Sequence, residues 1–268
     1  MKCKTPIIKK YKLEDEFTML TFPCGKCSIC KKESLNEWYV RLLAELGDKK
    51  TAKFITLTYN DNNMPLDLSL KMKHIQLYIM RLRKYSENNI KYFYCGEYGE
   101  KTKRPHYHMI LFGDISDKII KENWVYGFTH IGSVNSKSIR YVLNYTQKEN
   151  QGYSKYREIL GEIKPPFQKM SKGLGLNYMI KNEKQIADNG CIIIQGYKYK
   201  IPRYYIKKSE LIKDSVTRNS NDYFKSKCNQ VIDKDKIDLY IRNQFLMTKQ
   251  EELNITTRKN LSKLKRTI

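Results

Sequence analysis

The 268-residue sequence contains no long apolar run, and no stretch approaches the roughly 18 apolar residues of a membrane-spanning helix. The opening from Met1 to Asp15 lacks the apolar core of a secretory signal peptide. The sequence also has no internal repeat and no G-x-x-x-x-G-K-[ST] phosphate loop, since Gly25-Lys26 is followed by Cys27. We therefore expect a protein that stays in the cytosol where it is made and has no membrane partner.

Acidic residues are scarce beside basic ones, with 28 Asp and Glu against 51 Lys and Arg and a formal net charge of +23. This excess favours a polyanionic partner, for which nucleic acid is the leading candidate. Tryptophan occurs twice, whereas 21 tyrosines supply flat faces that can stack on unpaired bases. An AT-rich genome would encode a similar composition, so charge and tyrosine content support nucleic-acid binding without establishing it.

Apolar periodicity predicts alternating helices and strands. Helical spacing indicates helices at Leu35–Leu46, Leu68–Tyr85 and Ser136–Lys148. Alternation indicates strands at Lys53–Tyr59, Ile90–Tyr98, Pro105–Phe112 and Phe128–Ser133, and a β-rich piece at Cys191–Tyr199. Two strands joined by a short polar link after a helical crossover favour an antiparallel sheet with helices on one face, so we expect an α+β, ferredoxin-like core.

This order predicts four parts of the chain. A cysteine-rich element covers 1–34, the core covers 35–150, and 151–207 continues the core with the β-rich piece. A lysine-rich, helical tail follows at 208–268.

Two of the four histidines, His106 and His108, lie two residues apart on a predicted strand. The period of a strand places both rings on the same face. Glu97 on the neighbouring strand can add a carboxylate, which gives a metal site with open positions for a phosphate. Glu100 is close enough in sequence to be an alternative to Glu97, and ordinary packing is the alternative for the histidines.

Tyr141 and Tyr145 lie one helical turn apart in YVLNYTQK. Four residues advance a helix by about 400°, so the two hydroxyls share a face roughly 6 Å apart along the axis, with Lys148 on it. A phenol can attack phosphorus and form a covalent phosphotyrosine when a nearby cation helps it to lose its proton. Such a pair also occurs in ordinary packing, and its combination with the histidine pair is what favours catalysis.

Cys24, Cys27 and Cys30 form a C-x-x-C-x-x-C motif, with Cys3 as a candidate fourth ligand. Cytosolic cysteines this dense favour a structural zinc site over disulfides. An iron–sulfur site is an alternative, although position 34 is Ser where the bacterial ferredoxin run has Cys, and reduced thiols are another. The remaining cysteines are isolated and have a structural interpretation: Cys95, Cys191 and Cys228.

Taken together, these motifs resemble a known family. The chain resembles the HUH endonucleases and, more closely, the replication initiators of the microvirus group, especially the gokushovirus branch. The resemblance rests on PCGKCSIC at 23–30, FITLTY at 54–59, GEYG at 96–99, RPHYHMILFG at 104–113, YVLNYTQK at 141–148 and IPRYY at 201–205.

The resemblance implies that His106, His108 and Glu97 hold a divalent ion, Mg²⁺ or Mn²⁺, against the scissile phosphate. Tyr141 or Tyr145 would then carry the 5′-phosphate, with Tyr141 favoured for the first cut and Lys148 positioning the phosphate or the phenol. The freed 3′-hydroxyl would prime rolling-circle synthesis. After one round the second tyrosine would cut the regenerated origin while the first releases its strand for circularisation.

The partners that the resemblance implies are origin DNA, single- and double-stranded, and the host replication machinery in the host bacterial cytoplasm. Without a phosphate loop, strand separation is expected to come from a host helicase. One alternative is a non-catalytic, zinc-bearing DNA-binding protein in which the histidines only pack. Another is a plasmid or transposon HUH nuclease, although the cysteine-rich opening and IPRYY favour the phage interpretation.

Overall fold

The computed structural model describes residues 3–13, 16–48, 51–86, 89–99, 102–144 and 163–228. The chain divides into two compact units, 1–213 and 214–268. The described part of the second unit, 214–228, is helical. Within the described ranges no helix is both long and apolar enough to cross a bilayer.

The strands are β1 (Ile7–Leu13), β2 (Glu16–Phe22), β3 (Ala52–Tyr59), β4 (Lys91–Tyr98), β5 (Pro105–Phe112), β6 (Gly127–Ser133), β7 (Phe167–Met170), β8 (Ile192–Ile194) and β9 (Tyr197–Tyr199). The helices are α1 (Ser28–Asp48), α2 (Met72–Arg83), α3 (Asp117–Glu122), α4 (described over 136–144), α5 (Leu176–Lys181), α6 (Glu183–Asn189), α7 (Arg203–Ile206) and α8 (Glu210–Cys228). A 3₁₀ turn at Asp61–Asn63 follows β3.

The central sheet has five strands in the order β6-β3-β5-β4-β7, and every neighbouring pair is antiparallel. Strands β3 and β4 are joined through α2 but separated in the sheet by β5, which is the split β-α-β arrangement of ferredoxin-like folds. The predicted α+β fold with an antiparallel sheet is therefore confirmed. Two small hairpins, β1–β2 and β8–β9, complete the β-structure of the described residues.

Helices contact both faces of this sheet, whereas the sequence predicts them on one. Strands β4 and β5 bury both sets of alternating side chains, so each face needs a cover. On the first face, α2 packs its apolar side against the strands; the buried residues there include Ile55, Leu57, Ile75, Tyr78, Ile79, Leu82, Tyr107, Met109 and Leu111. On the second face, Trp38 of α1 contacts Phe93, with ring centroids 5.7 Å apart.

Two helix ends differ from their predicted positions for identifiable reasons. Helix α1 begins at Ser28 rather than Leu35, because the turn formed by the cysteine motif leads directly into it, with Lys31 N–H donating to the Cys27 carbonyl at 2.9 Å. Helix α2 begins at Met72 rather than Leu68. Leu68 has a φ of 50°, outside the helical region, and Leu70 N–H donates to the Tyr98 hydroxyl at 3.1 Å.

The predicted β-rich piece at Cys191–Tyr199 is the β8–β9 hairpin, and the IPRYY segment that follows is anchored in the interior. Tyr205 is buried and donates its hydroxyl to the Gly175 carbonyl at 2.8 Å. Gly175 has a φ of 75°, and a side chain there would meet the Tyr205 hydroxyl at 2.3 Å. Buried Glu45 of α1 accepts from Gly175 N–H at 2.7 Å and from Lys91 Nζ of β4 at 2.9 Å, so these contacts tie the segment to α1 and the sheet.

Candidate active site and a cysteine cluster

Strand register gathers three polar side chains on the second face of the sheet. Antiparallel pairing places His106 of β5 opposite Glu97 of β4, and His108 of β5 opposite Thr56 of β3. Directly paired residues share a face of the sheet, and so do residues two apart on one strand. The side chains of Glu97, His106 and His108 therefore lie together.

The distances within this group suit a shared ion. Glu97 Oε1 lies 2.7 Å from His106 Nε2 and 2.9 Å from His108 Nε2. Glu97 and His108 are buried and His106 is half-buried. The structure thus brings together the three ligands that the sequence suggests, whereas the alternative ligand Glu100 lies outside the described residues.

Each imidazole is held through its other nitrogen. His106 Nδ1 donates to the Arg104 carbonyl at 3.2 Å, and His108 Nδ1 lies 3.0 Å from the Thr56 hydroxyl. Such outer contacts fix the orientation of a ligating ring and keep Nε2 directed at the ion. Thr56 was not recognised from the sequence. The alternation in FITLTY gives its face, but the partner that it meets depends on how β3 pairs with β5.

The Glu97 carboxyl is charged. Its burial acts to raise its pKa, but the hydrogen bonds from His106 and His108 outweigh that effect and hold the pKa below the ordinary value. A buried anion between two imidazoles is an environment suited to a cation. Two nitrogens and one carboxylate oxygen also leave coordination positions open, which a structural site would fill with protein ligands.

Tyr141 borders this group from α4. Its ring centroid lies 5.3 Å from that of His108, edge to face, and 6.1 Å from that of Phe54. Phe54 itself stacks on His108 at 5.6 Å, so His108 is held between two aromatic rings. Tyr141 remains 45% exposed. Tyr145 and Lys148 lie outside the described residues, and their roles stay predictions.

The four cysteines of the predicted zinc site form a second cluster. Their sulfurs all lie within 4.8 Å of one another. Cys3 Sγ is 3.8 Å from Cys27 Sγ, and Cys24 Sγ is 3.9 Å from Cys30 Sγ. These separations are far longer than a disulfide bond, and they match the sulfur–sulfur distance of about 3.8 Å in a tetrahedral zinc–thiolate site with bonds of about 2.3 Å.

The environment of these sulfurs differs from one cysteine to the next. The Thr5 hydroxyl and the N–H groups of Cys27 and Lys26 donate to Cys24 Sγ and lower its pKa to about 5. The pKa of Cys27 is also lowered, chiefly by the backbone N–H of Cys30. Burial raises the pKa of Cys30 to about 12. Part of the cluster is thus prepared as thiolate before a cation arrives.

The family model for the phage replication-associated protein ORF2 matches residues 52–150. The replication-associated protein ORF2 of Spiroplasma virus 4 is 32% identical over 218 residues, which cover 70% of this chain and 67% of that protein. The chain belongs to the family of microvirus replication-associated proteins.

Two further phage members of this family are similar over most of the chain. The replication-associated protein ORF4 of Chlamydia phage 1 is 26% identical, over 74% of this chain and 55% of that protein. The replication-associated protein VP4 of Bdellovibrio phage phiMH2K is 29% identical, over 72% and 69% respectively. No solved structure matches the chain. The family match contains the Glu97 group and Tyr141, whereas the cysteine cluster lies outside it.

Proposed function

We propose that this replication-associated protein starts rolling-circle replication of a single-stranded-DNA phage by nicking one strand of the origin with a tyrosine. The observation that carries the proposal is the position of the Tyr141 ring against His108 in the Glu97–His106–His108 group. A nucleophile beside a cation site at an open position is what phosphoryl transfer to a protein side chain requires.

In this proposal Glu97, His106 and His108 hold Mg²⁺ or Mn²⁺. The ion, when bound, supplies positive charge against the scissile phosphate and the departing oxygen. Glu97 contributes the negative charge that retains the cation. The Thr56 hydroxyl and the Arg104 carbonyl keep the two imidazoles oriented, which spares the site any rearrangement when DNA binds.

The nicking step is a transfer of the phosphate from one oxygen to another. The phenolic oxygen of Tyr141 forms a bond to phosphorus and its proton passes to solvent. The bond from phosphorus to the 3′-oxygen breaks, and that oxygen takes up a proton to become the 3′-hydroxyl that primes synthesis. The DNA 5′-end stays on the enzyme as a phosphotyrosine, which conserves the bond energy for later religation.

Strand transfer would use the second tyrosine. Tyr145 lies four residues after Tyr141, one helical turn if α4 continues, and Lys148 is proposed to position the phosphate or phenol. After one round Tyr145 would cut the regenerated origin, and the released 3′-hydroxyl would attack the Tyr141 linkage to close the circle. We propose that this occurs on single- and double-stranded origin DNA in the host bacterial cytoplasm, with a host helicase separating the strands.

The cysteine cluster is proposed to hold a structural Zn²⁺ through Cys3, Cys24, Cys27 and Cys30. The fit of the sulfur–sulfur distances to tetrahedral thiolate coordination supports this choice. Because Cys3 precedes β1 and Cys30 lies in α1, the ion would fasten the N-terminal hairpin to the first helix of the core.

A DNA-adduct assay tests the proposal. Purified protein with Mg²⁺ or Mn²⁺ and a single-stranded oligonucleotide covering the origin is expected to form a complex that survives denaturant, and chelation of the metal should abolish it. The matched controls are Tyr85→Phe, at an exposed tyrosine after α2, which should leave the adduct intact, and the double change Tyr141→Phe with Tyr145→Phe, which should remove it. An adduct that persists in the double variant would refute the assignment.

A non-catalytic DNA-binding protein is the second candidate, supported by the cysteine cluster and the net charge of +23. The same assay separates the two. Tight, salt-sensitive DNA binding with no adduct under any metal would favour this alternative over the nuclease.

A further inference from the structure

The face that carries the metal group continues to the edge of the sheet, where Phe128 of β6 is 69% exposed. Pairing places Phe128 opposite Thr58 of β3, Thr58 opposite His106 of β5, and His106 opposite Glu97 of β4. These four residues form one row across the sheet. With strands about 4.8 Å apart, Phe128 lies roughly 10 Å from His106 along that row.

An open cavity of about 340 Å³ lies beside this ring. Phe128 forms its apolar wall, and Arg104 and Asp61 are among the polar groups that line it. Arg104 Nη1 donates to Asp61 Oδ1 at 2.6 Å, and Arg104 Nη2 donates to the Tyr59 carbonyl at 3.0 Å. The polar side is therefore held in place by its own hydrogen bonds and still presents both donors and acceptors.

The cavity and the metal group are joined through one residue. The Arg104 carbonyl accepts from His106 Nδ1 at 3.2 Å, while the Arg104 guanidinium lines the cavity. A ligand in the cavity and a phosphate at the metal group would thus touch opposite ends of Arg104. Their separation, roughly 10 Å or less by the strand spacing, is within the reach of a short stretch of extended single strand.

We propose that this cavity binds one unpaired nucleobase of the DNA strand, next to the bond that is cut. The base would stack on Phe128, since aromatic side chains bind unpaired bases through their flat faces. Its hydrogen-bonding edge would meet the Arg104 guanidinium and the Asp61 carboxylate, the groups that proteins use to read acceptors and donors on bases. This inference rests on the proposed function and adds to it a site that selects where the strand is cut.

The chemistry of the cavity favours a nucleic acid over a protein partner. A protein interface buries roughly 800 Å² on each side around an apolar centre. Here a single exposed ring faces charged groups that are already paired with each other. A flat, polar-edged base satisfies both walls, and the net charge of +23 favours the phosphates that come with it.

Binding without cleavage tests the stacking part. A labelled, short single-stranded DNA of mixed sequence is titrated with the full chain in chelator, followed by fluorescence anisotropy. Phe128→Ala is expected to weaken binding by about 5- to 150-fold, the value of one stacked base, and Phe128→Trp should restore it. Val125→Ala, at an exposed residue just before β6, is the matched control and should bind as the unchanged protein does.

Cleavage of a random-sequence pool tests the reading of the base. Sequences recovered from covalent adducts should show a strong base preference at one position beside the joined end. Asp61→Asn should relax the preference at that position and leave the others intact. Unchanged affinity in Phe128→Ala together with normal adducts would overturn the pocket and leave the nuclease standing. Loss of affinity in Phe128→Ala with no adduct from the unchanged protein would refute the nuclease and leave the pocket standing.

Discussion

The two clusters of candidate metal ligands differ in the elements that carry them and in the atoms that they offer. Glu97, His106 and His108 come from neighbouring strands in the middle of a five-stranded sheet, so backbone pairing fixes their separation. The cysteines come from the segment before β1 and from the turn and first residues of α1. The first cluster offers two nitrogens and an oxygen, and the second offers four sulfurs.

This difference indicates different roles. Three ligands leave positions open for a phosphate, whereas four thiolates complete a tetrahedron and leave none. The nucleophile candidate, Tyr141, stands beside the open cluster. The family match covers the open cluster and not the cysteines. Nicking should therefore depend on the first cluster, and the stability of the N-terminal region on the second.

The largest effect is expected from loss of a histidine of the first cluster. His106→Ala or His108→Ala should lower the nicking rate by more than about 100-fold, because the cation loses a direct ligand. The melting temperature should change little. His130→Ala, at an exposed histidine of β6, is the control and should nick normally. Equal nicking by all three variants, measured on one oligonucleotide, would remove the cluster from the mechanism.

Loss of a cysteine should produce the opposite pattern. Cys24→Ser is expected to lose bound zinc and to lower the melting temperature by about 5–10 °C, since disruption of a structural zinc site costs a few kcal/mol. Nicking by the protein that remains folded should persist. Metal analysis and calorimetry check this, with Cys191→Ser as the control outside the cluster. Full stability without zinc would contradict the structural role.

A smaller effect should come from the outer contact to His108. Thr56→Val removes the hydroxyl that lies 3.0 Å from His108 Nδ1 and should weaken Mn²⁺ binding by about 10- to 100-fold. Thr58→Val changes the next threonine on the same face of β3 and should leave Mn²⁺ affinity unchanged. Titration calorimetry distinguishes the two variants. The same affinity in both would show that the ring needs no orienting partner.

The smallest difference separates cysteines within the second cluster. In metal-free protein near neutral pH, Cys24, with a pKa of about 5, should be thiolate, and Cys30, with a pKa of about 12, should be protonated. Because the thiolate is the nucleophile, iodoacetamide should modify Cys24 well before Cys30. Added zinc should protect both. Mass spectrometry of the peptides gives the order, and Cys30 reacting first would contradict it.

Local spacing predicted the parts of the molecule that depend on neighbouring residues. The His106–His108 pair and its shared face follow from strand period, and the cysteine cluster follows from C-x-x-C spacing. The helices and strands of the core were also recognisable, with ends displaced by a few residues where tertiary contacts intervene, as at Leu68.

Contacts set by strand pairing could not be predicted. The meeting of Thr56 with His108 and of Arg104 with Asp61 depends on how β3, β5 and the turn after β3 come together, and one sequence carries no register. The cover on both sheet faces was missed for the same reason. The roles of Tyr145 and Lys148 stay predictions, since they lie outside the described residues.

The most direct test of the central claim is to locate the DNA on the protein. A denaturant-resistant adduct formed with Mn²⁺ and a single-stranded origin oligonucleotide is digested with protease and nuclease, and the peptide that retains a nucleotide is sequenced by mass spectrometry. We expect a 5′-phosphate on Tyr141 or Tyr145, within the peptide that contains YVLNYTQK. A nucleotide on any other residue, or no linked peptide at all, would contradict the account.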